Sequence, residues 1–433
     1  MKKHLLVIGL NLILIAASCV NKDKIADPGD YDVFMKPGII RRQVSNTQKQ
    51  LEFWEERLQR DTGNFIDMLE IARCRLHIFK MEGNMVHLSI ADSLMKRSSE
   101  KLNDTDPEIL FALTQNSITQ HQFRQASYYN QKAGESGGDR YIYHLLGFDT
   151  KMELGDLMSA SKEIETLKDK SAFDYLIRRS KLEDQKGNLD DAIELMEQAF
   201  EKVKDTRNSL YCWALSNLAD MYGYAGRIKD AYNAYIKVLQ RENSYIYALR
   251  GIAWIAYSHD HNSKEAKRIL QFILSQTNMP DLLLQLAEIE EWGGNESGKL
   301  KYVSEFIDEV RKAGYGDMYN RYLIEVYTDR VKDVDKALLL AEKEIINRPT
   351  PETYAWLAWV YYVKGDIEKA YELVNNYVYK RNFEPDAMLH TALVFSAAGK
   401  KEKAKELLKE CQASSFELGP VKTKFIRKQL KLL

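Results

Sequence analysis

The feature that most limits how this chain can fold is a recurrence. "YYVKGDIEKAYEL" at 361–373 returns as "FSAAGKKEKAKEL" at 395–407, so Ala358 and Ala392, Gly365 and Gly399, and Ala370 and Ala404 are each 34 residues apart. Each copy is an apolar stripe at helical spacing, a glycine, and a second stripe. Tyr354, Leu357, Ala358 and Tyr361 form one face, Gly365 breaks it, and Ile367, Ala370, Tyr371 and Val374 form the next. Traced backwards, the second-stripe alanine recurs at Ala91, Ala126, Ala160, Ala192, Ala231, Ala266, Ala337, Ala370 and Ala404. One double step, between 266 and 337, marks a unit without the alanine. Gly155, Gly187, Gly226, Gly365 and Gly399 each stand five residues before an alanine, and Pro107, Pro280, Pro351 and Pro385 fall where a first helix would begin.

A single helical hairpin of this length cannot bury its apolar stripe alone, so neighbours must stack on it. The small residues set how closely paired helices approach, and a larger side chain at Ala370 should overpack that contact at roughly 1–3 kcal/mol. With 433 residues, a repeat array accommodates a chain too long for one core. The pattern resembles the tetratricopeptide repeat, a 34-residue helix–turn–helix unit, over roughly residues 65–415, or about ten units. The resemblance implies an all-α superhelix whose first helices line a concave face. The preamble "LEFWEERLQRDTGNFIDMLEIA" and the irregular seventh-to-eighth junction are similar to those of exported bacterial TPR proteins of unassigned function.

The N-terminus reads as a targeting element. Lys2 and Lys3 precede an apolar stretch from Leu5 to Ile15, then Ala16, Ala17, Ser18 and Cys19. Small residues directly before a cysteine resemble the bacterial lipoprotein signal, with Cys19 as the lipidated residue; the alternative is ordinary secretory cleavage with Cys19 a bystander. The expected organisation is a signal peptide at 1–18, a flexible tether without regular structure at 19–47, and a solenoid at 48–433 whose last segment, 421–433, is a capping helix. The expected location is the cell envelope, on the periplasmic side or outer membrane.

Lys plus Arg number 62 and Asp plus Glu 63, a balance that gives no electrostatic case for nucleic acid or for an anionic membrane surface. Cys74, Cys212 and Cys411 are an odd, widely spaced set and no disulfide framework. His259 and His261 lie in a polar turn, and Glu288, Glu290 and Glu291 read as the wet face of a helix, so neither metal nor catalytic chemistry is expected, and no cofactor.

The resemblance implies groove-facing positions on each first helix. Here they carry Trp213, Ser216 and Asp220, then Tyr319, Tyr322 and Val326, then Glu352, Ala355, Trp359 and Tyr362, then Asp386, Leu389 and Leu393. The candidate partner-binding residues are therefore Trp213, Asp220, Tyr319, Tyr322, Trp359 and Tyr362, an aromatic, mildly acidic trough suited to a peptide or partner protein; the alternative for each aromatic is a place in the core between repeats. The Lys, Asn and Arg clamp that some TPR domains use for acidic chaperone tails is replaced by Ala355, Trp359, Leu389 and Leu393. The function expected is a membrane-anchored, non-catalytic interaction scaffold; the alternative is a glycan- or nutrient-binding outer-membrane lipoprotein.

Overall fold

Ten helical hairpins follow one another between Phe65 and Ala413 in the computed structural model, which describes residues 24–206 and 209–433. They run from Phe65–Glu82 with Met85–Lys101 to Pro385–Ala397 with Lys401–Ala413, and no strand occurs among the described residues. The ladder alanines explain the spacing. Ala91, Ala126, Ala160, Ala192, Ala266, Ala337, Ala370 and Ala404 are all 0% exposed, because each sits where the two helices of a hairpin touch. In the unit without the alanine, Val303 takes that position and is also buried. Gly155, Gly187, Gly226, Gly365 and Gly399 all have positive φ, the left-handed conformation a tight reversal needs. Pro107, Pro351 and Pro385 occupy the first helical turn, and Pro280 stands one residue ahead of Asp281–Trp292.

Three helices carry a wider π-helical turn, at Ile255–His259, Val326–Val331 and Val374–Val378. The first two end first helices, so they redirect Ser258, Asp329 and Arg330 at the concave side.

Successive coils of the superhelix touch. The turn of each early hairpin meets the connector about six hairpins further on. Asn278 N–H donates to the Glu82 carbonyl at 2.6 Å. Asn347 Nδ2 donates to the His121 carbonyl at 2.9 Å, and Arg124 Nε to the Ile346 carbonyl at 2.7 Å. Arg348 pairs with Glu153 at 3.4 Å and lies over the rings of Phe123 and Trp356. At Gly187 the contact is so close that a Cβ would lie 2.7 Å from the Phe383 ring.

Both ends of the chain depart from expectation. The signal stretch and Cys19 lie outside the described residues. From residue 24 on, the segment read as a tether is folded. Pro28–Tyr31 is a short helix and Ile39–Arg60 a long one, starting well before the Gln48 expected from periodicity. Tyr31, Ile39 and Ile40 are buried, and Tyr31 Oη donates to Glu265 at 2.7 Å. Asp260 accepts from the backbone N–H of Ile25 and Ala26, the latter at 2.9 Å. Pro28-Gly29 and Pro37-Gly38, turn-forming pairs by composition, start helices here: Pro28 is a first-turn residue, and Gly38 caps Ile39–Arg60.

The C-terminal helix, Ser415–Leu432, does not merely cap the last hairpin. A break at Gly419, φ 73° and ψ 172°, followed by Pro420, turns it inward across the concave face. There it meets helix Ser209–Tyr224, the π-turn 255–259, helix Asp281–Trp292 and helix Pro385–Ala397.

Candidate concave binding channel

The concave face is built from first helices, and its floor is polar. In the fifth and sixth hairpins, Asp220 accepts from Tyr235 Oη and from Tyr247 Oη, the latter at 2.5 Å. Burial pushes the Asp220 carboxyl up, against the pull of those two hydrogen bonds and of Arg250. Arg250 pairs with Asp281 at 2.5 Å, and Tyr319 Oη donates to the same carboxylate at 3.3 Å. Asp220, Tyr235, Tyr247 and Arg250, with Trp254, Gln285 and Tyr322, surround a cavity of about 380 Å³ bounded on one side by Phe416 and Glu417 of the C-terminal helix.

The C-terminal helix is held by a short series of contacts. Trp254 Nε1 and Ser258 Oγ both donate to the Phe416 carbonyl, at 3.0 and 2.7 Å. Gly223 and Gly419 mark where the helix presses closest: a Cβ would meet the Phe416 ring at 2.6 Å in the first case and Glu288 at 2.7 Å in the second. Lys422 Nζ donates to Asp386 at 2.7 Å and lies 3.4 Å from Glu325. Burial disfavours the ammonium, but Asp386 and Glu325 outweigh it and hold Lys422 well above its ordinary range. In return Lys422 holds Glu325 below the usual carboxylate range. Glu288, which accepts from Tyr257 Oη at 3.2 Å, is pushed up to about 7 by burial. Glu417 is pushed up to about 8 by burial and by the nearby carboxylates of Glu384, Asp386 and Asp184. Carboxylates thus dominate the channel, and the one lysine the C-terminal helix sends inward meets two of them.

The expected site residues divide. Asp220 and Tyr322 share the central cavity. Tyr319 lies beside them, packed edge-on against Tyr315 at 4.8 Å and tilted on Tyr322 at 5.8 Å. Trp359 and Tyr362 stack at 4.9 Å, and His390 covers the other face of Trp359 at 4.1 Å. The Trp359 indole N–H donates to Asp329 at 2.8 Å, so this ring is a structural element of the channel wall. Trp213 is not in this cavity; it is 40% exposed and packs edge-on against Phe173. Ser216, Val326, Ala355, Leu389 and Leu393, read as groove positions, are buried between helices.

Sequence reasoning missed Tyr247, Arg250 and Trp254, although their i, i+3, i+7 spacing puts them on one face of the sixth first helix. It also misjudged the glutamates. Glu288 faces the channel, Glu290 is buried and accepts from Asn295 at 2.7 Å, and Glu291 pairs with Arg330 at 3.3 Å. His259 hydrogen-bonds Asp260 at 2.7 Å and His261 packs on Trp292. No group of three potential metal ligands gathers among the described residues. Cys74, Cys212 and Cys411 are free and buried.

No protein-family model and no curated protein matches the chain. Solved structures similar to it include a tetratricopeptide repeat protein from Parabacteroides merdae, at 18% identity over 61% of this chain and 99% of that one, with a TM-score of 0.35. A human IFIT1 dimer with m7Gppp-AAAA aligns at 14% identity over 76% of each chain, TM-score 0.46. A Rap protein complexed with competence and sporulation factor aligns at 15% identity over 75% of this chain and 98% of that one, TM-score 0.44. The 34-residue hairpins, the buried alanine at each crossing and the left-handed glycine at each turn make this fold an all-α superhelix of the tetratricopeptide type.

Proposed function

We propose that the protein is a non-catalytic interaction scaffold, anchored to the cell envelope through Cys19, that receives a basic peptide segment of a partner protein in its concave channel. The observation that carries this reading is the C-terminal helix. A segment bearing one inward lysine and one aromatic already lies in the channel, with Lys422 between Asp386 and Glu325 and Phe416 against Gly223 and Trp254. The channel's chemistry therefore matches a cationic, aromatic-bearing helix. The remaining cavity, lined by Tyr247, Arg250 and Tyr322, offers apolar rings with polar tips next to that helix.

The test is site-specific photocrosslinking in the full chain within its own cells. A benzoyl-phenylalanine at Tyr247 should capture a partner, competed away by an excess of a synthetic 415–433 peptide. The same probe at Leu339, 69% exposed on a second helix, should not. Equal capture at both positions, or crosslinks from Tyr247 only to this chain's own 415–433 segment, counts against the channel.

A further inference from the structure

The outer face of the C-terminal helix and the exit of the N-terminal chain lie at one place on the molecule. Lys424, Arg427, Lys428 and Lys431 recur at i, i+3, i+4 and i+7, so they share one face of the helix, away from the inward Lys422. All four are exposed, and no carboxylate pairs with any of them among the described residues. Phe425 and Leu432, 39% and 68% exposed, stand beside them. Together with His259, His261 and Trp292 the cations line an open cavity of about 550 Å³. The residue between those histidines, Asp260, is the one that pins Ile25 and Ala26. From Cys19 to Ile25 the chain spans at most about 20 Å when fully extended. A lipid on Cys19 would therefore hold this basic end close to the bilayer.

We propose that this face, the outer side of helix Ser415–Leu432 with the adjoining turn at 258–261, docks on a membrane surface bearing anionic headgroups. The proposal rests on the Cys19 anchor for its proximity and on unpaired charge for its affinity. The chain as a whole is slightly acidic, so attraction to an anionic surface depends on the local patch and orients the molecule. Phe425 and Leu432 supply apolar contact at the headgroup boundary, the composition expected of an interfacial helix. Asp27 and Asp30, two acids close to the exit, are engaged: Asp27 caps Gly29 and Asp30 accepts from Tyr232 Oη at 2.9 Å.

The experiment supplies the lipid chemically. The chain from Cys19 onward is coupled through the Cys19 thiol to a maleimide lipid in vesicles, which is selective because the other three cysteines are buried. Lysine acetylation is then mapped on vesicles with and without phosphatidylglycerol. The expected result is several-fold protection of Lys424, Lys428 and Lys431 on the anionic vesicles only, none at the exposed Lys101 at the end of the first hairpin, and loss of protection at 0.5 M salt. Without the anchor, binding to anionic vesicles should fall about fivefold for each cation replaced by Gln, with helicity unchanged. Equal acetylation on both vesicle types overturns the proposal. So does equal protection by inorganic phosphate on neutral vesicles, which would make the patch a small-anion site. The anchor is read separately, from the mass of the N-terminal peptide of the protein purified from cells. An unmodified Cys19 sinks the anchor and leaves the vesicle result to stand or fall by itself.

Discussion

Lys422 Nζ donates to Asp386 Oδ1 at 2.7 Å and reaches Glu325 at 3.4 Å, joining the last helix of the chain to two first helices of the channel wall. Asp386 in turn lies 4.0 Å from Arg321, which pairs with Glu352 at 3.2 Å. The pair is therefore one link in a charge network, and removing the ammonium leaves several carboxylates facing one another across a partly closed space.

Replacing Lys422 with Met should lower stability by roughly 1–3 kcal/mol, below the range for a fully buried pair because the lysine side chain is 28% exposed. The denaturation midpoint measures this, and amide exchange at 421–432 should rise selectively. A midpoint unchanged from the parent would show that the ion pair does not hold the helix.

The raised carboxyls predict how docking of this helix depends on pH. Glu417 at about 8 and Glu288 at about 7 bind protons in the folded protein at pH values where the unfolded chain has released them. Their contribution is fully present below the ordinary glutamate range and is lost as pH rises through 7 and 8. The helix should be better protected from exchange at pH 6 than at pH 8.5, and Glu417→Gln should flatten the difference. Protection that grows with pH would contradict the packing described for Glu417.

Gly187 and Gly399 offer a test of coil stacking. Both have positive φ, so alanine strains either turn by about 1 kcal/mol or more. Only at Gly187 would the new Cβ also strike Phe383, six hairpins on; at Gly399 nothing lies within 4 Å. Gly187→Ala should therefore cost roughly 1–3 kcal/mol more than Gly399→Ala, measured by thermal or urea unfolding. Equal costs would mean that the coils do not touch there.

At Trp359 two substitutions separate ring from hydrogen bond. Trp359→Phe keeps an aromatic between Tyr362 and His390 and loses only the donation to Asp329, at about 1 kcal/mol. Trp359→Ala also empties the stack and should cost about 3–5 kcal/mol. If both variants unfold alike, the three-ring stack contributes nothing.

The hairpins were readable because their information is local. An alanine recurring every 34 residues and a glycine five places before it both act within one unit, so period alone places Ala370 and Gly365. Coil stacking leaves no such mark: Gly187 and Phe383 touch across 196 residues, and nothing in either neighbourhood names the other. The N-terminal segment misled for a related reason. Tyr31 and Ile40 look unsupported until the fifth and sixth hairpins wind round to cover them. The candidate site was half legible. Asp220 and Tyr322 follow from repeat register, whereas Lys422 could belong to a solvent-facing cap or an inward helix, and only the break at Gly419–Pro420 decides.

Because the coils touch at Glu82–Asn278, His121–Asn347 and Gly187–Phe383, that edge of the channel wall is pinned at each of these points. A segment bound in the channel as proposed is then expected to thread in by its tip. The protein should therefore select partners by whether they present a loose terminus, and should pass over the same residues displayed in the middle of a folded domain.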